Sequence, residues 1–388
     1  MKAIGMSSDL ASALSEAQSF TDRKHNIAAA RNVLLTAEDG FLHISGTNLA
    51  TGFTTHVEAQ IGEGGSLVVP GEISDILKTC DGSVNLSITD GKLNIKAEGF
   101  KGSFNGISGE NFPIFPSPDG VMKDAVVSSE SLESALTLTA FAVGDEDDIV
   151  TGNVLFRFKP KEKKLTLAAT DGFRFSIATI DLAKTTLDKE SEILIPGRSV
   201  ESLHRPLRAH KSDQNTEINI GLDNDKKMLV YSEEFRWFSC SAEGRYPDLS
   251  PLLPKQATCM AKVDAADLLR STRRLQALAK ITKSEKGGSL KIHFDPDASQ
   301  IFMDYEQDEV GAGATSMKAL FGNESKEIET YLSLQFLFDC VSSLQSQGAT
   351  SCQLALDDDI KTPFTITGEI PGGPSNLMGI ARMNKPKK

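Results

Sequence analysis

The chain is poor in the residues that mark the more specialised protein classes. It has five cysteines, an odd number, and Cys80, Cys240, Cys259, Cys340 and Cys352 are widely spaced without a CxxC pair. That argues against a disulfide framework or a cysteine zinc site, and predicts reduced, mostly buried thiols. The six histidines (His25, His43, His56, His204, His210, His293) show no ligand spacing; His204 and His210 share a predicted helix but not a face of it. GxxxxGK(S/T), HExxH and GxSxG are absent, which removes the commonest nucleotide, metalloprotease and hydrolase signatures. No apolar run reaches the roughly 18 residues of a membrane helix, and the start, MKAIGMSSDLASALSE, lacks a signal peptide's apolar core. The expectation is a cytoplasmic protein without membrane, metal or other cofactor.

Positive charge is also in short supply. Lys and Arg number 41 against 53 Asp and Glu, a net charge of −12. Bulk attraction to nucleic acid is therefore not expected, although screening over about 8 Å lets a local basic surface act on phosphates. What is present is an ordinary globular composition, 39% hydrophobic and 24% charged over 388 residues. At about 150 residues per domain that length suggests two or three domains.

Self-similarity decides for three. A strand followed by an amphipathic helix occurs at residues 3 to 17, 125 to 140 and 259 to 275, with Ser8, Ser129 and Asp264 at or near the helix starts as candidate caps. Between these, a short apolar strand, a break and a helix recur at SLVVPGEISDILKTC, SEILIPGRSVESLHRPL and IETYLSLQFLFDCVSSL. Alternating segments with turn residues follow the helices, clearest where Val84, Leu86 and Ile88 face one way before an Asp90-Gly91 turn; similar hairpins are expected around Glu38-Asp39-Gly40 and in INIGLDNDKKMLVYS. The predicted architecture is α+β: three tandem domains, 1–121, 122–253 and 254–388, each of two half-units made of a helix and an antiparallel sheet, giving six helices in the chain. The boundaries fall in the turn-rich connectors FPIFPSPDG and YPDLSPLLPKQ, short enough to favour a fixed arrangement.

Candidate chemistry is thin. GAGATS (Gly311 to Ser316) resembles a glycine-rich phosphate loop but has no helix behind it to bind an anion, so a flexible loop is the favoured reading. Two acidic runs, Asp145-Glu146-Asp147-Asp148 and Asp357-Asp358-Asp359, could be metal ligands for phosphoryl transfer. Consecutive carboxylates diverge on a regular backbone, so solvated loops are favoured there too. Basic residues concentrate on the fourth helix (Arg198, His204, Arg205, Arg208, His210, Lys211) and the fifth (Arg270, Arg273, Arg274, Lys280). Without aromatic interleaving they suit non-specific phosphate contact, and a solvated face explains them equally well.

The segments LAATDGFRFSIATI (167 to 180) and EGRYPDLSPLLP (243 to 254), the VVP and LIP strand breaks, and NVLLTAEDGFLHISGTNLATG (32 to 52) together resemble the bacterial DNA polymerase III beta subunit, the sliding-clamp family, over essentially the whole chain. TDGxR followed at this distance by GRYPD is a specific combination. The resemblance implies a head-to-tail homodimer, a ring of clamp domains with helices lining a hole around duplex DNA, bound without sequence preference. It implies a polymerase processivity factor without catalytic activity, serving the polymerase III alpha subunit, the clamp loader and other proteins with clamp-binding motifs. It places Lys24, Arg198, Arg205, Arg208, Lys211, Arg270, Arg273, Arg274 and Lys280 towards DNA, and Phe104 and Leu278 in the dimer contact.

The family's partner peptide enters an apolar pocket between the second and third domains. By position its lining is Val150, Thr170, Gly172, Phe173, Arg174, Phe175, Pro247, Leu252, Phe336, Ile360, Leu377, Met378 and Arg382. From the residues alone, TDGFRF reads as a turn between two core strands. The chain departs from the family at Phe173, commonly histidine, and at Phe175, commonly a small aliphatic. Its Gly379-Ile380-Ala381-Arg382-Met383, with the NKPKK tail, stands where the family ends in Met-Pro-x-Arg-Leu. NIAAARN (26 to 32) replaces a more apolar stretch, and Asp147 and Asp148 fall in a loop where the family presents DNA-facing residues. Two other readings remain: a metal-dependent nucleic-acid enzyme using the acidic runs, and a monomeric repeat adaptor.

Overall fold

The computed structural model describes residues 1–120, 123–209, 216–223, 226–254, 257–281, 288–307 and 311–385. Seven α-helices lie among the described residues: α1 (Ser7–Gln18), α2 (Ala28–Arg31), α3 (Ile73–Leu77), α4 (Ser129–Ala140), α5 (Gly197–Ala209), α6 (Ala265–Ile281) and α7 (Leu334–Ser346). Six are the helices of the half-repeat. The addition is α2, a single turn inside NIAAARN.

Contacts divide the chain into two compact units: Met1–Ser129 with Ala183–Asp188 and Glu201–Ser241, and Glu130–Leu182 with Lys189–Val200 and Ala242–Lys388. Each unit contains a large sheet that joins successive repeats. In the first, Thr51–Glu58 pairs with Phe235–Cys240, fusing strands of the first and second repeats into ten. In the second, Arg174–Asp181 pairs with Ser375–Ile380, fusing the second and third into nine. An open strand edge exposes a row of unpaired N–H and C=O groups, and joining edge to edge removes two such rows at once. Each unit carries a further sheet, of five strands in the first and four in the second. Every described strand pairing inside these sheets is antiparallel.

The local chemistry explains the elements. Asp90 (φ 52°) and Gly91 (φ 71°) turn Ser83–Thr89 back into Lys92–Ala97, and Asp39 (φ 50°) and Gly40 (φ 85°) do the same between Val33–Glu38 and Phe41–Thr47. Two successive positive φ values are what a two-residue hairpin needs. On α1 the apolar stripe Leu10, Leu14 and Ala17 is buried. At its far end the helix backbone sits so close to Gly46 that a Cβ there would lie 1.9 Å from the Ala17 carbonyl oxygen, so glycine is required. Of the three expected caps, Asp264 accepts from the Asp267 N–H at 2.9 Å. Ser8 instead lies inside α1 and donates to Asp9.

Around Phe53 the core of the first unit is aromatic, with Phe20 stacked at 5.0 Å and Phe235 at 6.0 Å, and Trp237 fully buried nearby in the sheet with its indole N–H on Ser202. In the second unit, α6 buries Leu268, Leu275 and Ala279. The strand Gly311–Lys318 runs beside that helix, and Gly313 leaves room for Leu278, whose Cδ2 would stand 2.8 Å from any Cβ added there. The GAGATS run is therefore an edge strand of the four-stranded sheet rather than a loop. Its small residues let α6 approach.

Candidate functional site

The nine-stranded sheet brings apolar residues into register on one face. Leu194, Leu155, Ala168, Ile177 and Leu377 are successive cross-strand neighbours. In the next row Thr170 faces Phe175, and Phe175 faces Gly379. The YPDLSPLLP connector covers this face: Tyr246 and Leu249 are buried with Leu155, Ala168, Phe175 and Leu194, and Val150, Ile177, Ala242, Leu253 and Leu377 pack against them. Ala242 ties the connector to the sheet through its N–H on the Leu194 carbonyl, 2.8 Å away. Burial pushes the Tyr246 phenol above its ordinary pKa, so it stays neutral.

The TDGFRF segment is the tight turn that the residues predict and also the edge of this face. Asp171 accepts from the Phe173 and Arg174 N–H groups at 2.9 and 2.8 Å, Gly172 has φ +83°, and the Thr170 hydroxyl donates to the Arg174 carbonyl at 2.6 Å. The turn projects Phe173 outward, 66% exposed, while Phe175 two residues on is 2% exposed.

Of the expected pocket residues, Val150, Thr170, Phe175 and Leu377 come together on this face. Gly172, Phe173, Pro247, Leu252 and Ile360 are exposed in the same unit, Leu252 at 37% and Ile360 at 45%. Arg174 and Met378 belong to the opposite face, because side chains alternate across a strand. Met378 is paired with Ser176, whose hydroxyl reaches the Leu138 carbonyl on α4, and it is fully buried. Arg174 reaches α7, donating to Asp339 at 2.6 Å and to Asp171 at 2.9 Å, with its guanidinium 4.6 Å from the Phe336 ring centroid and 5.3 Å from that of Phe141. Arg382 donates to Thr330 and to the carbonyls of Asp357 and Asp359, which fastens the turn carrying Ile360. Burial lowers its pKa from the ordinary arginine value. These three residues and Phe336 hold the sheet, its helices and that turn together rather than lining the covered face.

Sequence reasoning missed Leu155, Ala168, Ile177, Leu194, Tyr246 and Leu249. A signal existed for two of them: Ala168 and Ile177 stand two residues from Thr170 and Phe175, the spacing that keeps a strand residue on one face.

The basic helices differ from each other. On α6 the exposed residues Arg270, Arg273, Arg274 and Lys280 recur at helical spacing and form one stripe. Arg270 is paired with Asp267 at 2.6 Å, while Arg273, Arg274 and Lys280 have no carboxylate within ion-pair distance among the described residues. On α5, Arg198, Arg205 and Arg208 are exposed, but Arg198 makes a two-point contact with Glu146, which raises its pKa. Lys24 is exposed on a turn held by Asp22. Lys211 and His210 lie outside the described residues.

The acidic runs serve as turns. Asp148 accepts from the Val150 and Thr151 N–H groups, and these bonds lower its pKa. Among the described residues no group of three or more His, Cys, Asp or Glu is placed to hold a metal ion. No described helix is long and apolar enough to cross a membrane.

Two family models match the chain: the N-terminal domain of the DNA polymerase III beta subunit over residues 1–116 and the central domain over residues 126–248. The chain belongs to the DNA polymerase III beta-subunit family, the sliding clamps. The beta sliding clamp of Synechococcus elongatus is 25% identical over 368 residues, covering 92% of this chain and 93% of that protein. The fold follows the sliding clamp of Bacillus subtilis over the full length of both chains, with TM-score 0.87 at 17% identity. A Pseudomonas aeruginosa sliding clamp, crystallised bound to griselimycin, also gives TM-score 0.87, at 19% identity over 99% of this chain and all of that one. Phe175 and Gly379, two positions singled out in the sequence, form one feature of the sheet. They are direct cross-strand partners, and a Cβ on residue 379 would lie 2.1 Å from the Phe175 ring.

Proposed function

We propose that this protein is a polymerase processivity factor: three clamp repeats per chain, two chains closed head to tail around duplex DNA, and a docking site for partner peptides on each chain. The observation that carries this reading is the fold itself, which follows solved sliding clamps from end to end. Among the described residues, Phe100–Asn105 is an edge strand of the first unit's smaller sheet and Gly311–Lys318 an edge strand of the second's. Such edges pair readily with another chain. Phe104 is half-buried on the first, and Leu278 packs at the second. The α6 stripe supplies cations for phosphates without a base-reading element, as sliding requires.

Peptide docking is assigned to the second unit, at the exposed rim formed by Gly172, Phe173, Pro247, Leu252 and Ile360 beside the covered apolar face. A few apolar side chains, each contributing about 1.5 to 3 kcal/mol less ordering costs, give the exchangeable grip a shared site needs. The replicative polymerase and the loader are the proposed occupants.

The test is retention on DNA. The protein, loaded onto nicked circular plasmid, should remain through gel filtration in high salt and leave once the plasmid is cut once. Equal loss from both forms would rule out a ring, and a native mass of one chain at micromolar concentration would favour a monomeric adaptor.

A further inference from the structure

We infer that the Phe175 ring is a built-in plug: it occupies the deep apolar position on the sheet face beside the docking rim, and so sets how large a peptide anchor this clamp accepts. The inference rests on the docking assignment above. Phe175 projects from the face that carries Leu155, Ala168, Ile177, Leu194 and Leu377, yet only 2% of it is exposed. The ring can lie this low because its cross-strand partner is glycine. A Cβ on residue 379 would meet Phe175 Cε1 at 2.1 Å, Cζ at 2.4 Å and Cδ1 at 2.9 Å. No real Cβ contact is that short, so the ring fills the volume that any side chain at 379 would need. Tyr246 and Leu249 close over it from the connector.

Gly379 has no turn or left-handed backbone to explain it. It lies within the strand Ser375–Ile380, paired on both sides with Phe175 and Thr365, and is absent from the positive-φ residues. Glycine inside a strand is unfavourable and marks a close approach by another group. Here that group is the Phe175 ring. An apolar peptide residue then finds the deep position already taken and must settle on the rim around Phe173, Leu252 and Ile360. The proposed ligand is a short peptide whose apolar anchor is small or lies flat, and bulky anchors are selected against.

The experiment compares the full-length protein with Phe175→Leu, Gly379→Ala and the Phe175→Leu/Gly379→Ala double variant. The probes are fluorescein-labelled hexapeptides that differ only in carrying Ala, Leu or Phe at one apolar anchor position, with binding read by polarisation and folding by thermal melts. Phe175→Leu is expected to bind the Phe-anchored peptide tighter by on the order of tenfold, each additional buried methylene or ring carbon favouring it several-fold, while the Ala-anchored peptide changes little. Gly379→Ala should lower the melting temperature, and Phe175→Leu should recover most of that loss in the double variant, which keeps the inference testable if one single variant folds poorly. A folded Phe175→Leu protein that binds the Phe anchor no tighter than the parent overturns the plug, as would additive melting shifts in the double variant. If no hexapeptide binds either protein, both the plug and the docking assignment fail, while retention on circular DNA still reports on the ring.

Discussion

The guanidinium of Arg174 donates to the Asp339 carboxylate at 2.6 Å, joining the strand after the TDG turn to α7. A second carboxylate, Asp171, lies at 2.9 Å, and the rings of Phe336 and Phe141 flank the cation. Only 12% of the Arg174 side chain is exposed, so the contacts replace much of its hydration. The TDGxR motif, which the resemblance assigns to ligand binding, thus has a share in holding the second unit together.

Arg174→Ala is accordingly expected to destabilise the protein by about 2 to 4 kcal/mol, because it leaves the mostly buried Asp339 carboxylate with the Gln335 amide but without its cation. Asp339→Ala should cost less when combined with Arg174→Ala than the two single effects added. Chemical denaturation of the four proteins measures this; additive effects would mean that the pair is not coupled.

Asn376 replaces a stretch of sheet ladder with its side chain. Its amide accepts from the Gly368 N–H at 2.7 Å and donates to the Gly368 carbonyl at 2.9 Å, and the residue is buried. Asn376→Ala should cost about 2 to 3 kcal/mol, since two backbone groups lose their partners where water reaches poorly. Faster hydrogen exchange at Gly368 would locate the loss, and Asn376→Asp should restore only the contact to the N–H.

The α6 stripe predicts a graded electrostatic effect. Arg273→Ala and Arg274→Ala should each lower the slope of log affinity for duplex DNA against log salt by about 1, uniformly across sequences. Arg198→Ala should do less, its charge being offset by Glu146. Melting temperatures should stay within experimental error, these side chains being exposed. An unchanged slope for the α6 variants would leave a solvated face as their role.

The thiols give a pH test. Burial pushes Cys259 up to about 11 and Cys340 and Cys352 up to about 12. Alkylation of the native protein at pH 8 should stop at the two half-buried residues, Cys80 and Cys240, and reach all five after denaturation. The folded values lie above the ordinary thiol value near 9, so the contribution of these groups to stability is complete below pH 9 and falls as pH rises towards 12. Replacing all three with Ala should flatten the alkaline fall of the urea midpoint over that window.

The repeat, the six principal helices and the hairpin turns were legible in the chain because each rests on local chemistry. Asp90-Gly91 turns wherever it stands between alternating strands, and an apolar stripe on α1 or α6 needs a surface to cover. The basic stripe of α6 could be read in the same way, from helical spacing alone. Local signals reached less far at the site. TDGFRF is a turn on its own evidence, but which of its side chains face which layer depends on the pleat, and one residue's difference separates buried Phe175 from Arg174 on the helix side.

Sequence by itself determined that this protein is built of repeated helix-and-hairpin units, because periodicity and turn chemistry act over a few residues, and its TDGxR and GRYPD motifs carry the resemblance to the sliding clamps. Tertiary structure alone decided that Phe175 meets Gly379 from about two hundred positions away, that the connector covers the face on which they meet, and that Arg174 is committed to Asp339. Those outcomes depend on the register between strands distant in the chain. A shift of one residue would exchange the two faces and leave every local pattern intact.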